Sequence, residues 1–119
     1  MAVSPVEIIT PHGTGCVVLI CEHASNRIPA GYVGLGLAVE NRDDHVAWDP
    51  GARALSFQLS KALHAPVIDS TISRLVYGCN CPPDAAGPMP EKSELIEVPG
   101  NKNLSTVTSA RCVANEEVY

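Results

Sequence analysis

The run Cys16-Val17-Val18-Leu19-Ile20-Cys21, followed at once by Glu22-His23-Ala24-Ser25-Asn26-Arg27, constrains this chain more than any other feature. Six successive apolar residues, β-branched at their centre and flanked by Gly13 and Gly15, read as a strand. With no polar alternation, the strand is expected to be buried on both faces, the habit of α/β sheets. The polar stretch that follows falls at its carboxyl end, where open α/β sheets hold their ligands. A ligand site built around Glu22, His23 and Arg27 is therefore the first functional expectation.

The remaining elements fit around that strand. Met1 to Gly15 carries two prolines and two glycines and reads as an irregular lead-in. Its Pro11-His12-Gly13-Thr14-Gly15 stretch lacks the Lys-Ser or Lys-Thr of a phosphate-binding loop. Val39 to Trp48 reads as a short helix or a turn. Pro50 suits a first helical turn capped by Asp49, which predicts a helix from about Gly51 to Leu63. Ala52, Leu55, Leu59 and Leu63 then share one face, with Ala54 and Phe57 extending the apolar surface. Ala65 to Asp69 and Arg74 to Tyr77 read as second and third strands. From Cys79 to Asn103 the chain is rich in proline, glycine and charge, a loop of functional length. Ser105 is placed to cap a last helix reaching Tyr119.

Composition removes several classes of function. The 119 residues suit one small domain, and a 45% hydrophobic content supports a core made mainly of aliphatic side chains. The net charge of −5 and the lack of a basic cluster argue against nucleic-acid binding. No apolar run is long enough to span a membrane, and Met1 to Thr10 has no signal-peptide pattern, so the expected location is the cytoplasm. Five cysteines are then expected to be reduced thiols. Cys79-Asn80-Cys81 is too tightly spaced for a zinc finger, and nothing nearby activates either thiol as a nucleophile.

Each chemical candidate has an ordinary alternative. His23, beside Glu22 at a strand end, suits a zinc ligand or a hydrogen-bonded strand-end histidine. His45 and Asp49, four apart, suit a ligand pair or a base with its orienting carboxylate. The ordinary reading is a solvated histidine and a capping aspartate. Arg27 and Arg74 suit two-pronged carboxylate clamps or plain surface arginines. His12 and His64 receive no role.

Four blocks of sequence, in order, resemble the N-formylglutamate amidohydrolase family. They are Val18 to Pro29, His45 to Ala52, Ser73-Arg74-Leu75-Val76 with Asn80, and Glu91 to Glu94 with Val98 to Asn101. The agreement runs from about residue 18 to 104. The resemblance implies an α/β fold: a phosphorylase/hydrolase-like three-layer sandwich, related to zinc exopeptidases and incomplete at its C-terminus here. The whole chain, 1–119, would form the N-terminal half of that domain.

The reaction implied is hydrolysis of N-formyl-L-glutamate to formate and glutamate in histidine breakdown, with zinc or another divalent metal as cofactor. The resemblance further implies His23 and His45 as metal ligands and Asp49 and Glu22 as catalytic carboxylates. It assigns Arg27, Arg74 and Asn80 to the substrate's carboxylates. The partner would be an acidic N-acyl amino acid, with no nucleic acid or membrane.

Two departures stand out. Gly78 and Cys81 replace an aspartate and an arginine that flank the third block in the family. The family's later histidine-containing block lies beyond Tyr119, so a fragment of low activity is expected. Two other readings compete: a non-catalytic domain that binds an acidic small molecule or a partner, and a truncated product, poorly stable alone, whose exposed strand edges and apolar faces favour homo-oligomerisation or aggregation.

Overall fold

A computed structural model describes residues 4–10, 12–80, 89–102 and 104. It shows a small α/β unit with a mixed sheet. Strands β1 (Val6–Ile9), β2 (Leu19–Cys21) and β3 (Val67–Ser70) lie in the order β1-β3-β2. β1 runs antiparallel to β3, and β2 runs parallel to it. Two short helices or turns follow β2: a 3-10 stretch at Ala30–Gly36, then α1 (Val39–Arg42). Next comes α2 (Pro50–Leu63), the crossover from β2 to β3 that a parallel pair requires. A minimal hairpin, β4 (Lys92–Ser93) and β5 (Ile96–Glu97), closes the described order with a 3-10 turn at Pro99–Asn101.

Helix α2 forms as its sequence demands. Asp49 has extended backbone angles and its Oδ1 accepts from the Ala52 N–H at 3.0 Å, while Pro50 fills the first helical position. The helix stops at His64, which takes the left-handed conformation at φ 51 and donates its N–H to the Ser60 carbonyl.

Three expectations need correction. The lead-in contains β1, which pairs with β3 through Val6↔Ser70 to Ile9↔Val67; the pairing partner lies some sixty residues downstream, out of reach of local signals. The first apolar run gives only three strand residues, and Val17, Val18 and Ile20 are exposed rather than buried. β2 is an edge strand, and α2 covers one of its faces. Arg74 to Tyr77 is a turn, closed by Val76 N–H to Ser73 O at 3.0 Å. Its apolar residues are buried because they fill a core made of loops, not because they pair in a sheet. The helix expected from Ser105 lies outside the described residues.

A hydrophobic core sits beyond the carboxyl ends of β2 and β3. Leu35, Leu37, Val46, Ala47, Ile72, Leu75, Val76 and Val98 form it, with Trp48 and Tyr32 packed at its margin. A left-handed turn delivers Leu35: Val33, Gly34, Leu35 and Gly36 all have φ between 50 and 69. Leu35 is fully buried in this conformation, so packing offsets a backbone strain of roughly 1–3 kcal/mol. Gly100 makes that approach possible, since a Cβ there would meet the Leu35 Cα at 2.6 Å.

Candidate functional site

The polar residues leaving β2 are bound by backbone and side-chain bonds to two distant segments. Asp49 N–H donates to His23 O at 2.8 Å, joining the strand exit to the start of α2. Ser73 N–H donates to Arg27 O at 2.7 Å, and Ser73 Oγ–H donates to Ala47 O at 2.8 Å. The Asn26 amide donates to Arg42 O and to Asp43 Oδ1, at 3.2 and 2.8 Å. Buried Asn101 adds the last join, donating to Leu75 O and Pro90 O at 2.8 and 2.9 Å. Stretches far apart in sequence thus converge at the carboxyl edge of the two parallel strands, the place where α/β sheets hold ligands.

Four of the expected site residues share one electrostatic neighbourhood. His23 is half-buried, and burial together with the Arg74 charge pushes its pKa below the usual histidine value. Glu22 and Asp49 pull it back up without prevailing. The imidazole is therefore mainly neutral near pH 7, the form that accepts a proton or donates a lone pair. Asp49 serves at the same time as the α2 cap. Cys21, at the end of β2, has its thiol pushed up by burial, which disfavours the nucleophilic thiolate.

The other expected residues stand apart. His45 is exposed and held between Asp44 at Nδ1 and Glu94 at Nε2, the latter at 3.0 Å. These carboxylates, Glu94 first, raise its pKa. Arg27 lines a separate hollow with Trp48 and Asp69, while Glu22 and His23 line one with Ala52 and Ser56. Asn80 is exposed at the last described residue before 81–88.

Among the described residues, no three His, Cys, Asp or Glu side chains converge as a metal-holding group. A catalytic zinc site takes three protein ligands. His23 with a neighbouring carboxylate falls short of that number, so the described residues do not fit a complete site.

The residues that sequence reasoning missed are Arg53 and Asp69. Asp69 lies in the centre of the sheet with its side chain 2% exposed, and its Oδ2 accepts from Arg53 Nε at 3.1 Å. The available signal was an aspartate ending an otherwise apolar strand, which burial makes costly without a partner.

Comparison with known proteins follows the same residues. A family model described as N-formylglutamate amidohydrolase matches residues 15–117. The gene product Atu2144 from Agrobacterium tumefaciens has a crystal structure that superimposes with a TM-score of 0.90 at 42% sequence identity. The match covers 94% of this chain and 45% of that one, so the chain spans less than half the length of the relative. No curated protein matches. Among the described residues, no helix is long and apolar enough to cross a membrane.

Proposed function

This chain belongs to the N-formylglutamate amidohydrolase family, and from that premise we propose that it carries part of a hydrolase site for N-acyl amino acids, N-formyl-L-glutamate first among them. What supports the reading is that half-buried His23 feels the charges of Arg74, Glu22 and Asp49, and that its carbonyl accepts from the Asp49 N–H, inside the matched region. In this reading the neutral His23 accepts a proton from the water that adds to the formyl carbonyl, the C–N bond breaks, and the departing amine takes up a proton in return. Glu22 or Asp49 moves the proton, and for Asp49 this falls to Oδ2, since Oδ1 is spent on the helix cap. Arg74, with Arg27 and Asn80, pairs with the substrate's carboxylates.

A divalent metal such as zinc would polarise the formyl carbonyl when bound. His23 is the best donor this chain offers it, with His45 as the second ligand of the family reading. The described residues do not complete a donor set. The three-layer sandwich belongs to the same proposal. α2 covers one face of the sheet, and the exposed isoleucines of the other face suit a further layer.

The test joins binding to turnover. Binding of N-formyl-L-glutamate to the 119-residue chain is measured by calorimetry, and formate release is measured with and without added zinc. We expect binding that weakens at least about tenfold in Arg74→Ala, and any formate release to fall in His23→Ala. Binding untouched by Arg74→Ala, or no binding at all, sinks the reading.

A further inference from the structure

The two edges of the sheet are built differently. β1 forms one and carries exposed Glu7, a charge of the kind that keeps an edge strand from pairing further. β2 forms the other, and from Gly15 to Cys21 the chain there carries neither charge nor proline. Leu19 donates its N–H to Pro66 O at 2.9 Å, on the β3 side. Alternation along the strand therefore turns the N–H and C=O of Ile20 to the open side, where no described strand pairs with them.

The space beside that open side is a groove of about 280 Å³, lined by Ile20 and His23 from β2 and its exit and by Leu55, Ser56 and Leu59 from α2. Its lips are apolar. Val17 and Val18 are exposed along the β2 run, and Leu55, Leu59 and Leu63 are exposed along α2. The charges of α2 lie elsewhere on the helix: Arg53 reaches Asp69, and Lys61 lines a cavity with Thr10 and His12. An open strand edge beneath an apolar helix flank is shaped to take one more strand, held by main-chain hydrogen bonds and alternate side chains.

We propose that the occupant is a second copy of this chain, the two β2 strands pairing antiparallel about a two-fold axis and joining two three-stranded sheets into one. A two-fold contact needs a self-complementary surface, and β2 paired with itself brings no like charges face to face. The same axis sets both α2 helices on one face of the joined sheet, so Leu55, Leu59 and Leu63 of each copy meet across it. The area is sufficient. These leucines with Val17 and Val18 expose roughly 450 Å² of apolar surface per copy, and a pair with its strand backbones buries about 1,000 Å², where specific interfaces begin. Pairing uses up the open edge of each copy and leaves the Glu7 edge outermost, so association stops at two. The groove runs up to Glu22 and His23, so the second strand walls one side of the candidate site.

The experiment is sedimentation equilibrium of the 119-residue chain across the micromolar range, with amide hydrogen exchange on the same samples. A species of twice the chain mass is expected, and exchange at the Ile20 N–H slows as it fills. Val18→Lys and Leu55→Glu each place a charge on one lip of the groove, twice per dimer. Each is expected to raise the dimer dissociation constant about tenfold or more. Val18 is 56% exposed and Leu55 60% exposed, so thermal melts at concentrations where the chain is monomeric are expected to match the unaltered chain. If one variant fails to fold, the other decides. Ile8→Lys, on an equally exposed isoleucine at the far edge of the sheet, is expected to leave the dimer unchanged.

Association that Ile8→Lys breaks is stacking of the bare sheet faces, and it overturns the proposal. So does a dimer that survives both Val18→Lys and Leu55→Glu, or one that leaves the Ile20 N–H unprotected. Assemblies that grow past two copies also overturn it, since a closed pair has no open edge to extend. A chain that stays monomeric throughout the range leaves the groove to a different polypeptide and rules out the second copy. None of these outcomes depends on substrate binding or formate release, so the hydrolase reading stands or falls separately.

Discussion

The irregular half of this molecule is better packed than its regular half. The loops at the carboxyl ends of β2 and β3 bury Leu35, Ala47, Leu75, Val76 and Val98 completely. The sheet and α2 leave Ile8 and Ile20 each 58% exposed and Leu55 60% exposed. Register explains part of this. Ile8, Ile68 and Ile20 lie side by side across the three strands. Cys21 and Asp69 form the neighbouring row and face α2 through Ser56 and Arg53. The covered face holds buried Val67 beside an ion pair and a thiol, while the bare face shows isoleucines. The loop body is a buried core beside the candidate site, and the sheet carries α2 on one face.

The largest effect that tests this contrast is a pair of truncations. Leu75→Ala in the loop body is expected to cost about 2–5 kcal/mol in urea denaturation. Ile20→Thr on the bare face is expected to stay within about 0.5 kcal/mol. Equal losses would show that the sheet is as well packed as the loops. A smaller effect comes from the covered face. Arg53→Met strands the Asp69 carboxylate and is expected to cost about 1–3 kcal/mol near neutral pH. Burial raises the Asp69 pKa, so the folded chain holds this proton more tightly than the unfolded chain does. The stability linked to this group is fully present below its unfolded pKa and is lost as pH rises through the folded one. Acidification should therefore relieve the Arg53→Met defect, and a defect that grows in acid would break the account.

The joint between the two regions is the Asp49 cap. Asp49→Ala is expected to lose about 1 kcal/mol, with Asp49→Asn or Asp49→Ser recovering most of it in the same melts. The smallest effect separates the two histidines by NMR titration. His45, raised by Glu94 and Asp44, should titrate at higher pH than His23, which burial and Arg74 lower. The stability linked to His45 is present below its unfolded pKa and fades as pH rises through the folded one; His23 behaves oppositely, losing its contribution as pH falls. Glu94→Gln should bring His45 down and leave His23 unmoved. A matching shift in both would place them in one site, against their separation here.

The chain's local signals determined a good deal. The α/β class, the Asp49-Pro50 start of α2, its end at Leu63 and the strand at β3 were all legible, because caps, prolines and short periodicities act within a few residues. The resemblance of four blocks also read correctly, since their order survives without knowledge of the fold. Tertiary structure alone decided the rest. It paired β1 with a strand far along the chain, turned the apolar stretch at Leu75 into a buried loop, and exposed part of the first apolar run at a sheet edge. It separated His45 from His23 and matched Asp69 with Arg53. Those outcomes depend on which surfaces meet, and burial and charge pairing are properties of the assembled chain, not of any window along it.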